Sequence, residues 1–395
     1  MGKIEIRKLS LEAAAPVFSW MTSYAFTANP PLRTGESFAE RFAHTAGLNT
    51  YMALFEDDQA AASAGAGPMV QNVRGKLVDS AGIFMVATHP SQRRKGYSFQ
   101  LLKELFAHLR ADGIGFSTLY PFRESFYERL GYTTWFPTIT AEINIHALAP
   151  LLKQDFDTQL EQQEFIHSTD IFHQFQNLYQ KQTHGMATFL KYRPPDPESD
   201  KAWVLTSRIN GELDGIMIYA LQGDQVTQFK FTAFRFYYFS PVSRYHFLQW
   251  IGMHIDQTSE VSITLPPYEQ PQTWLSDLEV KLSSRRIPPM GRVLDIEKLN
   301  GLPVGDGQFK VKISDPTCPW NEGTWQFTSQ NGELAVTRTD KADCTLRIQA
   351  ISSLVFGNVP PRDYPYRGWG DVPAEVQAEM ASLFPPATPH LHEYF

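Results

Sequence analysis

The sequence predicts a mixed α/β protein of more than one domain, and three observations carry that reading. The chain has 395 residues, more than one hydrophobic core commonly supports. Strand and helix patterns alternate along its first third instead of segregating. The stretch Phe84-Met85-Val86-Ala87-Thr88-His89-Pro90-Ser91-Gln92-Arg93-Arg94-Lys95-Gly96-Tyr97-Ser98 reads as a buried strand, a basic loop with one glycine, and the start of a helix. Such a junction is an anion site in outline, because the first helical turn points free N–H groups outward and the macrodipole favours negative charge there.

Apolar residues make up 43% and charged residues 19%, the balance of an ordinary globular protein. A net charge of −7 argues against a sequence-independent nucleic-acid binder, which needs a basic face. Two cysteines, Cys318 and Cys344, supply neither a disulfide framework nor a thiolate metal site. His89, His246 and His254 lack ligand spacing, so no metal is expected. Met1-Gly2-Lys3-Ile4 enters a strand pattern without an apolar leader, and no run reaches the ~18 apolar residues of a membrane span. A cytoplasmic protein is the expectation.

Taken in order, Ile4 and Ile6 alternate with Lys3, Glu5 and Arg7 as in a half-buried strand. Ser10 can cap a helix over 11–26, where Ala14, Val17, Phe18, Met21 and Ala25 keep helical spacing until Asn29-Pro30-Pro31 ends it. A more polar helix is expected over 37–46, a strand over 51–55, a turn at Asp57-Asp58, and one or two strands over 76–88. The Ala/Gly-rich residues 59–68 between them receive no firm assignment. After the basic loop, Leu101, Leu102, Leu105, Phe106 and Leu109 mark one helix face that closes at Asp112-Gly113. A strand at 116–120, a short helix at 125–130 stopped by Gly131, and an aromatic strand at 132–136 complete the unit.

Helices are then expected at 147–154 and 165–183, and strands at 202–208 and 214–221 joined by the hairpin signal Asn210-Gly211. A strand at 225–238, a helix at 244–257 and a strand at 261–265 follow. This hairpin, strand, helix, strand order echoes the first unit without its basic loop. From Met290 the texture changes: strands at 308–313, 323–328, 334–338 and 345–348, then helices at 351–356 and 373–383. The aromatic end, Leu391-His392-Glu393-Tyr394-Phe395, predicts a tail docked on protein, since termini are commonly polar.

The pattern Arg93-x-x-Gly96-x-Ser98 is loose on its own, and a solvated basic loop is the competing reading. A strand directly before it and an amphipathic helix directly after it favour a diphosphate held mainly by main chain. Gly96 would admit a bulky ligand to the backbone, and neither a Walker loop nor a dinucleotide fingerprint is present.

Val86-x-x-x-Pro90-x-x-Arg93-Arg94-Lys95-Gly96-x-Ser98, after two helices and a hairpin, resembles the acetyl-CoA-binding core of the GNAT N-acetyltransferases. Phe126-Tyr127-Glu128-Arg129-Leu130-Gly131-Tyr132, Met290-x-Arg292-Val293-x-Asp295, Asp315-x-x-Cys318-Pro319-Trp320-Asn321-x-Gly323 and the final Phe395 narrow the resemblance to the Eis-like (enhanced intracellular survival) branch. The resemblance implies a catalytic GNAT domain over 1–145, a second GNAT-like unit over 146–288 without a phosphate loop, and a sterol-carrier-protein-like domain over 289–395.

It also implies transfer of acetyl from acetyl-CoA to an amine of a small molecule or lysine, by direct attack in a ternary complex. Tyr127 matches the residue that protonates the departing thiolate, and the Phe395 carboxylate the base; a core tyrosine and a domain anchor are the bland alternatives. Val86, Ala87, Thr88, Arg93, Arg94, Lys95, Gly96, Tyr97, Ser98 and Phe99 fall where the family holds its cofactor. Phe26, Phe84 and Phe122 could line an amine pocket. Aminoglycoside-acetylating members carry an acidic residue where this chain has Thr27-Ala28-Asn29, which speaks against that preference; Glu40, Asp57 and Asp58 could supply negative charge instead. Asp315 and Asn321 read as structural, and Trp320, Trp325 and Phe327 as filled core in preference to a lipid cavity. Family members assemble as hexamers built from trimers, so a homo-oligomer is expected, with no nucleic-acid or membrane partner. The rival function is a non-catalytic acyl-CoA-binding or lipid-carrying scaffold on the same fold.

Overall fold

The computed structural model describes residues 2–27, 29–284 and 287–395. Ala28, part of the Thr27-Ala28-Asn29 departure noted above, lies outside the described residues. In chain order the elements are β1 (Ile4–Leu9), α1 (Leu11–Thr22), α2 (Gly35–Phe42), β2 (Thr50–Glu56), β3 (Gln59–Val73), β4 (Lys76–Thr88), α3 (Tyr97–Ala111), β5 (Phe116–Leu119), α4 (Glu124–Glu128) and β6 (Thr133–Thr134). Next come β7 (Ile139–Ile143), β8 (Gln159–Glu164), α5 (Thr169–Gln180), β9 (Ala187–Phe189), β10 (Trp203–Ile209), β11 (Glu212–Gln222), β12 (Phe229–Tyr238), α6 (Pro241–Gly252), β13 (Thr258–Leu265) and β14 (Val280–Ser283). The last are β15 (Met290–Val293), β16 (Gln308–Ser314), β17 (Gly323–Gln330), β18 (Glu333–Arg338), β19 (Cys344–Arg347), α7 (Ile348–Phe356) and α8 (Ala374–Leu383).

Two compact units result: Met1–Trp135 with Thr183–Arg193 and Pro288–Phe395, and Phe136–Gln182 with Pro194–Ile287. In the first, the sheet runs β1-β2-β3-β4-β5-β15-β6, with β9 added on β3. The expected third domain thus lends its opening segment, Met290–Val293, to the first sheet, where it pairs with both β5 and β6. Its remaining strands form a sheet ordered β18-β17-β16-β19. One apolar core includes Met69, Phe116 and Trp135 from the front of the chain and Phe309, Trp325, Phe327, Leu354 and Leu383 from its end. Trp325 and Phe327 are core residues, as the sequence suggested.

Buried polar bonds fasten the same seam. The Arg292 guanidinium pairs with Asp315 at 2.7 Å, donates to the Thr317 hydroxyl at 3.0 Å, and reaches the Leu130 carbonyl. Asp315 also accepts from Asn321 at 2.9 Å and from the Cys318 amide at 3.1 Å. Every oxygen and nitrogen in the cluster has a partner, which is what makes a buried pair tolerable.

Residues 59–73, left without a firm assignment over 59–68 by sequence pattern, are one long strand. The small residues are there because aromatic rings need the room: a Cβ on Gly65 would meet the Phe84 ring at 2.3 Å, and one on Gly67 the Phe189 ring at 2.8 Å. On the opposite face, Ala62, Ala64 and Ala66 let α3 pack closely through Leu101, Leu102, Leu105 and Phe106.

The second unit repeats the plan of the first. Its sheet is ordered β14-β7-β13-β12-β11-β10-β8, with β12 and β13 parallel across α6, as β4 and β5 are across α3. Asn210 and Gly211 take φ of 52° and 85° in the β10–β11 turn, the conformation a two-residue hairpin demands. Strand β7, placed by the sequence reading inside 1–145, pairs with β13 and β14 of this sheet. Where the sequence predicts a helix at 147–154, residues 145–153 form a 3-10 helix with Pro150 inside it, since proline cannot donate the intrahelical bond. Only Phe239 and Ser240 separate β12 from α6, so the basic loop has no counterpart there.

Candidate active site

Strands β4 and β5 make a fork. They pair in parallel through Ser80–Phe116, Ala81–Ser117 and Gly82–Thr118, and no further. Beyond Gly82, β4 continues to Thr88, whereas β5 stops at Leu119 and Tyr120-Pro121 leads away to α4. Residues 83–88 therefore turn a strand edge with no β5 partner into the gap.

The other edge of β4 is bulged. Ser63 is opposite Ala87 and Gly65 opposite Phe84, so Met85 and Val86 together face the single residue Ala64. Met85 takes φ of 53°, a left-handed conformation uncommon for a side chain of its kind. The Ser63 hydroxyl holds it by donating to the Met85 carbonyl at 3.2 Å. An edge of this sort can add an extended amide-bearing ligand as an extra strand, and a bulged peptide can donate to a carbonyl oxygen.

At the end of β4 the basic loop turns into α3. Arg94 and Gly96 take φ of 66° and 82°, and an added Cβ on Gly96 would meet nothing within 4 Å. The glycine is therefore required by backbone conformation and not by crowding. The Thr88 and Ser98 hydroxyls are hydrogen-bonded, tying the strand end to the first helical turn. Lys95 pairs with Glu56 at 2.9 Å, and the Tyr97 hydroxyl donates to the same carboxylate at 2.7 Å. Hydrogen bonds from Lys95 and Tyr97 hold the Glu56 carboxyl below its ordinary range. Both side chains are thus turned toward the end of β2. The Arg93 guanidinium lies 5.9 Å from the Tyr24 ring centre, and Arg94 makes no ion pair among the described residues. Val86 and Phe99 pack partly buried against the α3 core, and Ala87 is buried.

Tyr127 sits in α4 and is 3% exposed, with Phe126, Phe122 and Tyr132 edge-on at 5.0, 5.6 and 5.9 Å. Burial pushes its phenol well above the ordinary tyrosine range, helped by Tyr132. Phe395 lies at the vertex of the fork: a Cβ on Gly82 would stand 2.8 Å from its ring. Phe189 and Tyr120 flank that ring at 5.1 and 5.9 Å, and Tyr120 also touches Tyr394 at 4.6 Å. Leu391 and His392 are buried, so the tail is docked as expected.

Successive residues of a strand face opposite ways. Tyr127 shares its core with Ala81, Ile83 and Leu119 on the α3 face, whereas Phe395 covers Gly82 on the other. The two groups flank the fork from opposite faces of the sheet.

The remaining candidates are not gathered. Phe84 packs with the α1–α2 cluster, Phe122 is 65% exposed beside Tyr127, and Phe26 is 63% exposed after α1. Asp58 pairs with Arg7 at 2.6 Å and Asp57 accepts the Lys3 amide at 2.8 Å, so both brace β1, while Glu40 is exposed on α2. Asp315 and Asn321 belong to the seam described above. Burial pushes the Cys318 thiol up to about 12, which removes it as a nucleophile at neutral pH. Among the described residues no group of three metal-ligating side chains is present, and no helix is long and apolar enough to cross a membrane. Sequence reasoning missed the bulge, its Ser63 brace and Tyr120, because none of them leaves a pattern of types or spacings. It also missed the partly exposed stack of Trp20 on Tyr24 and His89, at 5.5 and 4.7 Å, beside the basic loop.

Comparison with known proteins gives this arrangement its place. Residues 5–135 match the acetyltransferase (GNAT) domain, and residues 296–392 the sterol carrier protein domain. An uncharacterized N-acetyltransferase of Streptomyces coelicolor is 21% identical over 304 residues, 72% of this chain and 73% of that one. The fold is shared over the full length of both chains with a GCN5-related N-acetyltransferase from Anabaena variabilis (TM-score 0.85, 18% identity). The same holds for a probable N-acyltransferase from Enterococcus faecalis (0.83, 19%) and Eis1 from Mycobacterium abscessus (0.76, 16%). The chain thus carries a GNAT acetyltransferase domain in front and a sterol carrier protein domain behind, on a fold that it shares over its full length with these N-acetyltransferases.

Proposed function

We propose that the enzyme moves acetyl from acetyl-CoA to a primary amine, on a small molecule or a lysine side chain, by direct attack in a ternary complex. The observation that carries this is the fork: an unpaired, bulged strand edge with a phenol on one face and the Phe395 residue on the other. The pantetheine arm pairs with residues 83–88 as an added strand. The amides of the loop at 93–98 and the first turn of α3 hold the diphosphate, with Arg93 and Arg94 supplying charge. Lys95 acts indirectly, through Glu56.

The amine arrives as an ammonium and gives its proton to the Phe395 carboxylate, directly or through one water. The ring of Phe395, held between Tyr120 and Phe189, anchors the end of the chain at the fork. The neutral nitrogen then bonds to the thioester carbon, and the C–S bond breaks as the carbonyl re-forms. The thiolate takes the Tyr127 proton, which burial keeps on the phenol at neutral pH, and the extra proton left on the acetylated nitrogen passes through water to restore the phenol. Products are the acetamide and CoA.

Thiol release from acetyl-CoA, measured with polyamines, lysine peptides and aminoglycosides, tests the activity and names the acceptor class. Tyr127→Phe should lose most turnover and keep CoA binding. One alanine appended after Phe395 should do the same; unchanged turnover removes the terminal carboxylate from the mechanism. Cofactor binding with no amine-dependent thiol release would leave only a scaffold. A hexamer built from trimers belongs to the same reading, and sedimentation of the purified protein tests it.

A further inference from the structure

One row across the first sheet places three strands side by side. Gly82 of β4 pairs with Thr118 of β5, and Thr118 pairs in turn with Gly291 of β15. Each glycine makes room for a ring on the same face. Phe395 covers Gly82, and the Trp135 indole covers Gly291, its Cζ2 2.1 Å and its Cε2 2.7 Å from where a Cβ would stand. Thr118 therefore projects between the Phe395 ring and the indole.

Thr118 is 0% exposed, and its Oγ1 is a buried oxygen without a hydrogen-bond partner among the described residues. The Trp135 Nε1, bonded to the Cε2 that overlies Gly291, is likewise buried and unpartnered, and so is the Asn358 Oδ1. The Asn358 Nδ2 donates to the carbonyl of Thr134, next in the chain to Trp135, at 2.7 Å. The indole overlies Gly291, the β15 partner of Thr118, and adjacent strands such as β5 and β15 stand ~4.8 Å apart, a spacing that suits a bridging atom between the hydroxyl and the indole N–H. Indole N–H only donates, an amide oxygen only accepts, and a hydroxyl does either. Buried polar groups left unpaired are costly, so such a set is normally joined by ordered water.

We propose that Thr118 and Trp135 hold one buried water against the ring of Phe395, and that Thr118 is a positioning residue for the terminal carboxylate. The water makes the floor beside which the ring rests, so the hydroxyl fixes Phe395 without touching the acceptor or the thioester. This rests on the reading of Phe395 as the base.

The test pairs a high-resolution crystal structure with two variants. A water within hydrogen-bond distance of both Thr118 Oγ1 and Trp135 Nε1 is expected, and is expected to be lost in Thr118→Val. Thr118→Val should lower kcat roughly tenfold, leave the KM for acetyl-CoA unchanged, and shift the acidic limb of the pH–rate profile. Thr118→Ser, which keeps the hydroxyl, should restore all three. Absence of the water, or equal turnover in the valine and serine variants, overturns the proposal. The alanine-appended protein separates the two failures. If appending slows turnover while Thr118→Val does not, the base stands and the positioning role falls; if the water is present and neither change slows turnover, the base reading has failed instead.

Discussion

The ring of Phe395 occupies the space that a side chain on Gly82 would fill, with its Cζ 2.8 Å from a Cβ built there. Gly82→Ala should therefore unseat the tail and leave the sheet intact, because the colliding atoms are the ring and the Met69 thioether and not backbone. Turnover should fall by about tenfold or more with near-normal melting. Combining it with Phe395→Ala should cost no more than either change alone, since both remove one docking.

The Ser63 brace on the bulge yields a cofactor-side prediction. Ser63→Ala deletes the hydrogen bond to the Met85 carbonyl, worth about 1 kcal/mol. The KM for acetyl-CoA should rise several-fold in steady-state assays, with kcat much less affected.

Within the basic loop the three cations should not be equivalent. Lys95 is held by Glu56, whereas Arg94 is free of ion pairs among the described residues. Arg94→Ala should weaken acetyl-CoA roughly tenfold, the worth of one charge-assisted hydrogen bond, and the loss should shrink at high salt. Lys95→Ala should have a smaller effect under the same titration.

His184 makes the first unit sensitive to acid. Its Nδ1 accepts the Arg74 amide at 2.9 Å, which leaves Nε2 to donate to the Phe356 carbonyl at 3.1 Å. Burial, then Arg74, pushes its pKa down to about 4, against about 6.5 unfolded. The neutral ring's contribution is complete above about pH 6.5 and is lost as pH falls toward 4, at no more than about 1.4 kcal/mol per unit. Denaturant midpoints should drop across that window, and His184→Gln should flatten the drop.

Asp315 should be the costliest single change in the seam. Asp315→Asn leaves Arg292 buried and uncompensated, a loss of about 3–5 kcal/mol. Replacing both, as Arg292→Met with Asp315→Leu, should recover part of it in chemical denaturation.

What the sequence revealed depended on whether a residue's role is local. The strand–loop–helix at 84–98 and the Asn210-Gly211 turn were legible because periodicity and turn chemistry act over a few positions. Residues 59–68 were not, because their alanines and glycines answer to Phe84, Phe189 and α3, which only the folded sheet brings near. Met290–Val293 was read with the residues that follow it, and no local signal tells that it completes a sheet begun far upstream. At the candidate site, Tyr127 and Phe395 came from family resemblance. The fork, the bulge and Thr118 came from pairing registers that no side chain announces.

Because β15 stands between β5 and β6, the catalytic sheet is finished by a piece of chain made long after its neighbours. On the ribosome, the front of the protein waits with the edge of β5 open until residue 293 has emerged. An open edge invites pairing with other chains, so a nascent or truncated front half is an aggregation hazard. Synthesis through residue 293 is therefore a precondition for closing the sheet, and synthesis of residue 395 for seating the Phe395 ring on Gly82.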